Sequence, residues 1–311
     1  MSIEFQHKPV LLQECIENLD IKKDGIYVDG TLGGAGHSTK IIEELSDKGL
    51  LIGIDRDLEA LNVAKTRLKK YSNIKFIHDN HDNIKSILQE LEIQKVDGIL
   101  LDLGVSSYQI DEKTRGFSYL EDNELDMRMD QTQTLTAKQV VNEYTKEELT
   151  KILYEYGEER YSAKIANNIC EYRKDKIIDT TKELVDIIDK SIPGFAKKEG
   201  HPAKRTFQAI RIEVNNEIEP LYQTVRDCID CLKENGRLCI ITFHSLEDRA
   251  VKKAFIEAEG RCTCPSDLPY CVCGYVSLGK VINKKPIVAS LDEQKENSRA
   301  KSAKLRVFEK K

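Results

Sequence analysis

Ile26-Tyr27-Val28-Asp29-Gly30-Thr31-Leu32-Gly33-Gly34-Ala35-Gly36-His37-Ser38 is the stretch that decides the fold of this chain. A short apolar run ends in an acid. A glycine-rich turn follows, and Ile41, Ile42 and Leu45 then recur at helical spacing. Strand, tight loop and helix form the opening unit of a nucleotide-binding α/β sheet. Glycines are expected in such a loop because side chains would hold the backbone away from a ligand lying over the strand end.

The loop is not G-x-G-x-x-G. Its acid, Asp29, precedes the first glycine, whereas the dinucleotide fingerprint sets a pyrophosphate on the helix N-terminus. An acid at the strand tip repels a diphosphate and suits a ligand carrying an ammonium group. S-adenosylmethionine (SAM) is such a ligand, with an adenosine, a sulfonium and an amino-acid tail but no phosphate. The alternative is a structural glycine turn in another α/β protein. A second apolar run, Leu50-Leu51-Ile52-Gly53-Ile54-Asp55, also ends in an acid. An acid there can accept hydrogen bonds from both ribose hydroxyls of an adenosine. Helix capping is its competing role, but Asp57 serves as the cap ahead of Leu58, Leu61, Ala64 and Leu68 and leaves Asp55 for the ribose.

A chain of 311 residues holds one large domain or two modest ones. Its 40% hydrophobic and 32% charged residues fit a soluble globular protein, and its apolar runs are too short to span a membrane. Residues 1–9 lack a basic start followed by an apolar core, so no secretory signal is read. With nine cysteines, this predicts a reducing, cytoplasmic setting and free thiols or a metal site rather than disulfides. A net charge of −5 means that nucleic acid would have to be met by local basic patches.

Working outward, Leu11, Leu12, Cys15, Ile16 and Leu19 predict a helix beside the first strand. Residues 74–78 alternate like a third strand, and the polar loop after them, with Asn80-His81, is placed to read an adenine edge. Residues 96–102 are nearly all apolar, as in a central parallel strand, and end at Asp102. The pattern then breaks. Residues 110–210 read as a helical domain inserted after the fourth strand, with capping-box spacings at Thr145 to Glu148 and Thr180 to Glu183. Residues 197–211 are basic around Phe207. They are either a solvated loop and helix start or a phosphate-gripping wall with an aromatic for stacking. Residues 237–243 return as a fifth strand, followed by a helix that Ser245 can cap with Asp248 at the box position. The tail, residues 304–308, alternates and is expected to pair with residues 287–289.

Several blocks now resemble a single family. They are Asp29-Gly30-Thr31 with Gly34-Ala35-Gly36-His37-Ser38, Leu101-Asp102-Leu103-Gly104-Val105-Ser106-Ser107, Arg115-Gly116-Phe117-Ser118, Leu125-Asp126-Met127-Arg128-Met129-Asp130, Tyr156-Gly157-Glu158-Glu159-Arg160, Arg205-Thr206-Phe207-Gln208-Ala209-Ile210-Arg211 and Phe243-His244-Ser245-Leu246-Glu247-Asp248-Arg249. Over nearly the whole chain they resemble the bacterial 16S ribosomal RNA cytosine-N4 methyltransferases, the RsmH or MraW family. The resemblance implies a Rossmann-like, SAM-dependent methyltransferase sheet, here residues 1–109 and 211–311, with residues 110–210 as an all-helical substrate-recognition insert. It implies methylation of the exocyclic N4 of a cytidine in the decoding region of 16S rRNA, so the partner is the small ribosomal subunit or its RNA, with no membrane partner. The chain is expected to be a monomer or a homodimer. Carried onto matching positions, the SAM contacts would be Ala35, Gly36, His37, Asp55, Asp102 and Gln109, with Gly34 in the same loop. The family usually has an Asn-Phe pair after the third strand; here His81 stands in the aromatic's place and can stack on adenine.

The N4 of cytosine is a poor nucleophile because its lone pair is drawn into the ring. Positioning and an acceptor for its protons must do the work, with no metal or covalent nucleophile. Many amino-methylating enzymes carry Asp/Asn/Ser-Pro-Pro-aromatic at the fourth strand tip, whereas this chain has Asp102-Leu103-Gly104-Val105. Asp102 is the first choice, either as acceptor or as cofactor ligand; Ser106, Ser107, His244 and Ser245 are second. His244 is either a general base or a hydrogen-bonded loop residue beside a capping Ser245. Arg128, Lys204, Arg205 and Arg211 are candidates for phosphate contacts, and Phe207 for stacking or for the core. Cys262-x-Cys264 and Cys271-x-Cys273 could hold tetrahedral zinc, or be free thiols in a loop; the one-residue spacer is tighter than the usual C-x2-C. Two other functions compete. A nicotinamide oxidoreductase would need the missing G-x-G-x-x-G, and a non-catalytic ribosome-binding module would not need Asp29, Asp55 and Asp102 together.

Overall fold

Near-continuous apolar strands need cover on both faces, and the chain supplies it. The computed structural model describes residues 9–106, 109, 113–260, 264–265, 268–270, 272, 274 and 276–311. It divides into two units, Met1–Gly104 with Ile218–Lys311, and Val105–Glu217. The boundaries thus fall outside those expected at 110 and 210. The reason is local: the helix Lys204–Asn215 is continuous, and a cut at 211 would sever it.

The first unit is built on a seven-stranded sheet in the order β3-β2-β1-β4-β5-β7-β6. Strands β1 (Ile26–Asp29), β2 (Leu50–Asp55), β3 (Ile74–His78), β4 (Val96–Asp102) and β5 (Leu232–Thr242) are parallel. Strand β7 (Lys304–Lys310) runs antiparallel to β5 and to β6 (Gly279–Val281). The expected pairing of the tail with residues 287–289 reduces to one bridge, Ile287 to Leu305; the tail's main partners are β5 and β6. Alternate strand residues feed opposite faces. Val28, Ile99, Leu101, Leu238 and Ile240 pack beneath the helices Ile84–Glu90, Leu221–Cys231 and Ser245–Glu259. Tyr27, Leu51, Leu100, Cys239 and Ile241 pack beneath Leu12–Leu19, Gly36–Glu44 and Leu58–Arg67. The connections leave β1 in one direction and β4 in the other, so the β1–β4 junction is the topological switch point. Ligands of open α/β sheets bind in the crevice outside the strand ends at such a point.

The second unit is helical, with Ala137–Glu143, Lys146–Glu155, Ser162–Tyr172, Thr181–Ser191 and Lys204–Asn215 around their own core. Both expected capping boxes form, Thr145 with Glu148 and Thr180 with Glu183, and Thr136 with Gln139 adds a third.

Candidate active site

The glycine loop is stitched to both neighbouring strands. Gly30 N–H donates to the Leu100 carbonyl (2.9 Å), Leu32 N–H to Ile54 (3.0 Å), and Gly33 N–H to the Asp55 carboxylate (2.7 Å). The Asp102 amide donates to Thr31 Oγ1 at 2.6 Å. These bonds gather the ends of β1, β2 and β4 around one turn.

The glycines serve different ends. A Cβ on Gly30 would lie 2.4 Å from Leu101 Cδ2 and 3.1 Å from His81 Cβ, and one on Gly36 would lie 2.3 Å from Pro9 Cγ. Both are small so that protein can pack against protein. Gly33 has φ +47°, and Ala35 takes a left-handed φ of 58° as the N-cap of Gly36–Glu44. Gly34 faces open space, its nearest neighbour being Arg67 Nη1 at 3.9 Å. Arg67 also donates to the Gly34 carbonyl. The reason first given for the whole loop, room for a ligand, therefore holds for Gly34.

The acids differ as well. Asp29 is 1% exposed, with Ser38 Oγ donating to one oxygen (2.6 Å) and the Thr31 amide to the other (3.2 Å). Held by these two donors, it organises the loop from inside. Burial lifts its carboxyl to about 6 against the hydrogen bonds. Asp55 accepts from Gly33 and, at 2.8 Å, from the Asp57 amide, and burial lifts it to about 6 too. Asp57 accepts from Glu59 N–H at 3.0 Å and is the helix cap, as expected.

Asp102 is the unbalanced group. Its Oδ1 is buried without a hydrogen-bond partner among the described residues. Burial first, then the charges of Asp29 and Glu247, push its carboxyl up to about 8. A buried acceptor with nothing to accept is costly. A cationic ligand at this tip would relieve it, so the residues fit a sulfonium or ammonium group. His37 is buried, with Nε2 donating to the Val10 carbonyl (3.0 Å) and Nδ1 lying 3.8 Å from Asp102 Oδ2. His81 begins the short 3-10 turn His81–Asn83, and burial drives its ring down to about 4, so it is neutral. A neutral flat ring beside Gly30 suits stacking against a base.

At the tip of β5 the capping residue is His244, not Ser245. His244 Nδ1 accepts from the Glu247 amide (3.5 Å), and Glu247 accepts from the amides of Phe243 (2.7 Å) and His244 (3.3 Å). His244 Nδ1 is thus turned into the helix, while Nε2 lies 3.0 Å from Glu247 Oε1 and is buried without a hydrogen-bond partner among the described residues. Ser245 is the first helical residue. Glu247, 1% exposed, is a member of the acid group that sequence reasoning missed; its signal was the His-x-x-Glu spacing of a capping box.

In the second unit, Gln109 accepts from the Ser106 amide (3.0 Å), and its own amide donates to Ser106 Oγ (3.2 Å). Arg128 is spent internally: it chelates Asp126 through Nε and Nη2, both 2.7 Å, and donates to the carbonyls of Gln131 and Gln133. Arg211 pairs with Glu217 through two bonds of 2.9 Å. Both guanidinium groups are engaged by carboxylates of the chain itself. Lys204 and Arg205 are exposed. Phe207 is core, 3% exposed. Ser107, Cys262, Cys271 and Cys273 lie outside the described residues; Cys264 Sγ accepts from the Val272 amide at 3.2 Å.

A Clostridium botulinum protein named ribosomal RNA small subunit methyltransferase H is 58% identical over 308 residues, covering 99% of this chain and all of the relative. A Clostridioides difficile protein of the same name is 55% identical over 310 residues, with the same coverage. Among solved structures, a SAM-dependent O-methyltransferase from Thermotoga maritima aligns with 98% of this chain and 67% of its own at a TM-score of 0.41 and 10% identity, too distant to add to the sequence match. The family model described as the MraW methylase family matches residues 4–311, and the chain belongs to that family.

Proposed function

We propose that the chain methylates the exocyclic N4 of a cytidine in the decoding region of 16S rRNA, as free RNA or within the small ribosomal subunit. The names of its relatives supply the substrate class. The observation that carries the chemistry is Asp102: a carboxylate at the β4 tip with one buried oxygen unpartnered among the described residues. Bound SAM supplies an electrophilic methyl group on a cationic sulfur. The loop at Gly34 to Gly36, with His37, Asp55 and His81, holds the cofactor. Asp102 accepts the amino protons of N4, which orients the nitrogen and stabilises positive charge as it develops there. Asp102 can also take the proton once transfer is complete. The cytidine must be unpaired or turned out of its stack to reach the strand ends.

A mass-resolved digest of 16S RNA and of small subunits, treated with the protein and labelled SAM, tests this. The label is expected on the exocyclic nitrogen of one cytidine. Label on a ring carbon refutes the N4 assignment, and SAM binding without transfer favours a non-catalytic module. Asp102→Asn should still bind SAM but lose transfer about tenfold or more, on the scale of a lost electrostatic stabiliser. The nicotinamide reading ends with the family match.

A further inference from the structure

Phe207 is not a stacking surface, but it supports one. The rings of Tyr119 and His201 are stacked, with centroids 4.5 Å apart and planes 25° from parallel. Phe207 meets Tyr119 edge-on at 5.7 Å and is itself buried in the helical core. His201 is exposed, yet its ring is fixed: Nδ1 accepts from the Ala203 amide at 3.2 Å. The His201 carbonyl accepts from the Lys204 amide at 3.1 Å, which sets the start of the helix Lys204–Asn215 beside the stack. Lys204 and Arg205 are exposed in the first turn of that helix, which has no acidic residue. Cations there oppose the helix dipole, so helix stability does not explain them. Among the described residues Lys204 has no ion-pair partner, and Arg205 donates to the Glu158 carbonyl at 3.4 Å. An exposed ring on a rigid aromatic support, next to two cations without an ion-pair partner among the described residues, combines what a base and its phosphates require.

We propose that the Tyr119–His201 stack is a platform for an unpaired nucleobase of the RNA substrate, with Lys204 and Arg205 holding the neighbouring phosphates. This rests on the RNA-methylating function proposed above and names a second place where that RNA is held.

The test uses the full-length protein and fluorescence anisotropy of a labelled single-stranded oligocytidylate, with methylation of small ribosomal subunits measured in parallel. His201→Ala should weaken oligonucleotide binding about 5- to 100-fold and leave the salt slope unchanged. His201→Phe, which keeps a flat ring, should bind like the wild type. Lys204→Ala and Arg205→Ala should each lower the slope of log affinity against log salt by about 0.7. Wild-type binding by His201→Ala, or equal loss in His201→Phe, would overturn the platform. If the wild type methylates subunits while His201→Ala binds normally, the platform alone falls. If the wild type neither binds nor methylates RNA, both proposals fall.

Discussion

Binding of SAM should tighten as pH rises towards about 8 and then level off, because Asp102 must lose a proton to receive a cation. In the free protein its carboxyl stands at about 8, raised by burial and by Asp29 and Glu247. Take a bound value of roughly 6; the shift then corresponds to about 2.7 kcal/mol, at 1.36 kcal/mol per unit. Affinity would rise about 25-fold between pH 6 and pH 8 and less than about twofold from pH 8 to pH 9, and roughly 0.8 proton would be released per SAM bound at pH 7. Titration calorimetry in buffers of different ionisation enthalpy reads that proton directly. Asp102→Asn should bind with a flat profile above the range where Asp29 and Asp55 titrate, near 6. Stability carries the opposite sign. A folded carboxyl held above its ordinary 3.8 keeps a proton that the unfolded chain gives up. Stability of the free protein therefore falls as pH climbs from about 4 to about 8, and Asp102→Asn should melt at or above the wild type at pH 8. The side chain is 27% exposed, so solvent softens the effect. No proton release by the wild type at pH 7, or equal release by Asp102→Asn, would refute the reasoning.

Other substitutions separate packing from binding. Gly36→Ala drives a Cβ to 2.3 Å from Pro9 and should cost about 1–3 kcal/mol in denaturant unfolding. Gly34→Ala meets nothing nearer than 3.9 Å, so it should unfold within about 0.5 kcal/mol of the wild type yet bind SAM about 5- to 100-fold more weakly by calorimetry. His244→Ala should cost about 1 kcal/mol as a lost cap; a pH–rate profile unchanged in His244→Asn would exclude His244 as the base. Arg128→Ala strips a chelated carboxylate and two carbonyls and should destabilise by about 1–3 kcal/mol, leaving the salt dependence of RNA binding as it was.

Sequence alone determined the parallel sheet, the glycine loop, the acids at the strand tips and the helical insert. Each of these is local: apolar runs of strand length, turn glycines and capping boxes act within a few residues of one another. The functions of the individual side chains were not legible in the same way. Asp29, Asp55 and Asp102 look alike in sequence, each an acid ending a strand. Only the folded neighbourhood distinguishes the one sealed by Ser38 and Thr31 from the one spent on two amides and the one left with an empty oxygen. Arg128 and Arg211 read as phosphate ligands until Asp126 and Glu217 are found to neutralise them. Charge and burial are sums over residues that the chain brings together from afar, and hydrogen-bond partners compete for each group, so tertiary structure decides which polar groups remain available for chemistry.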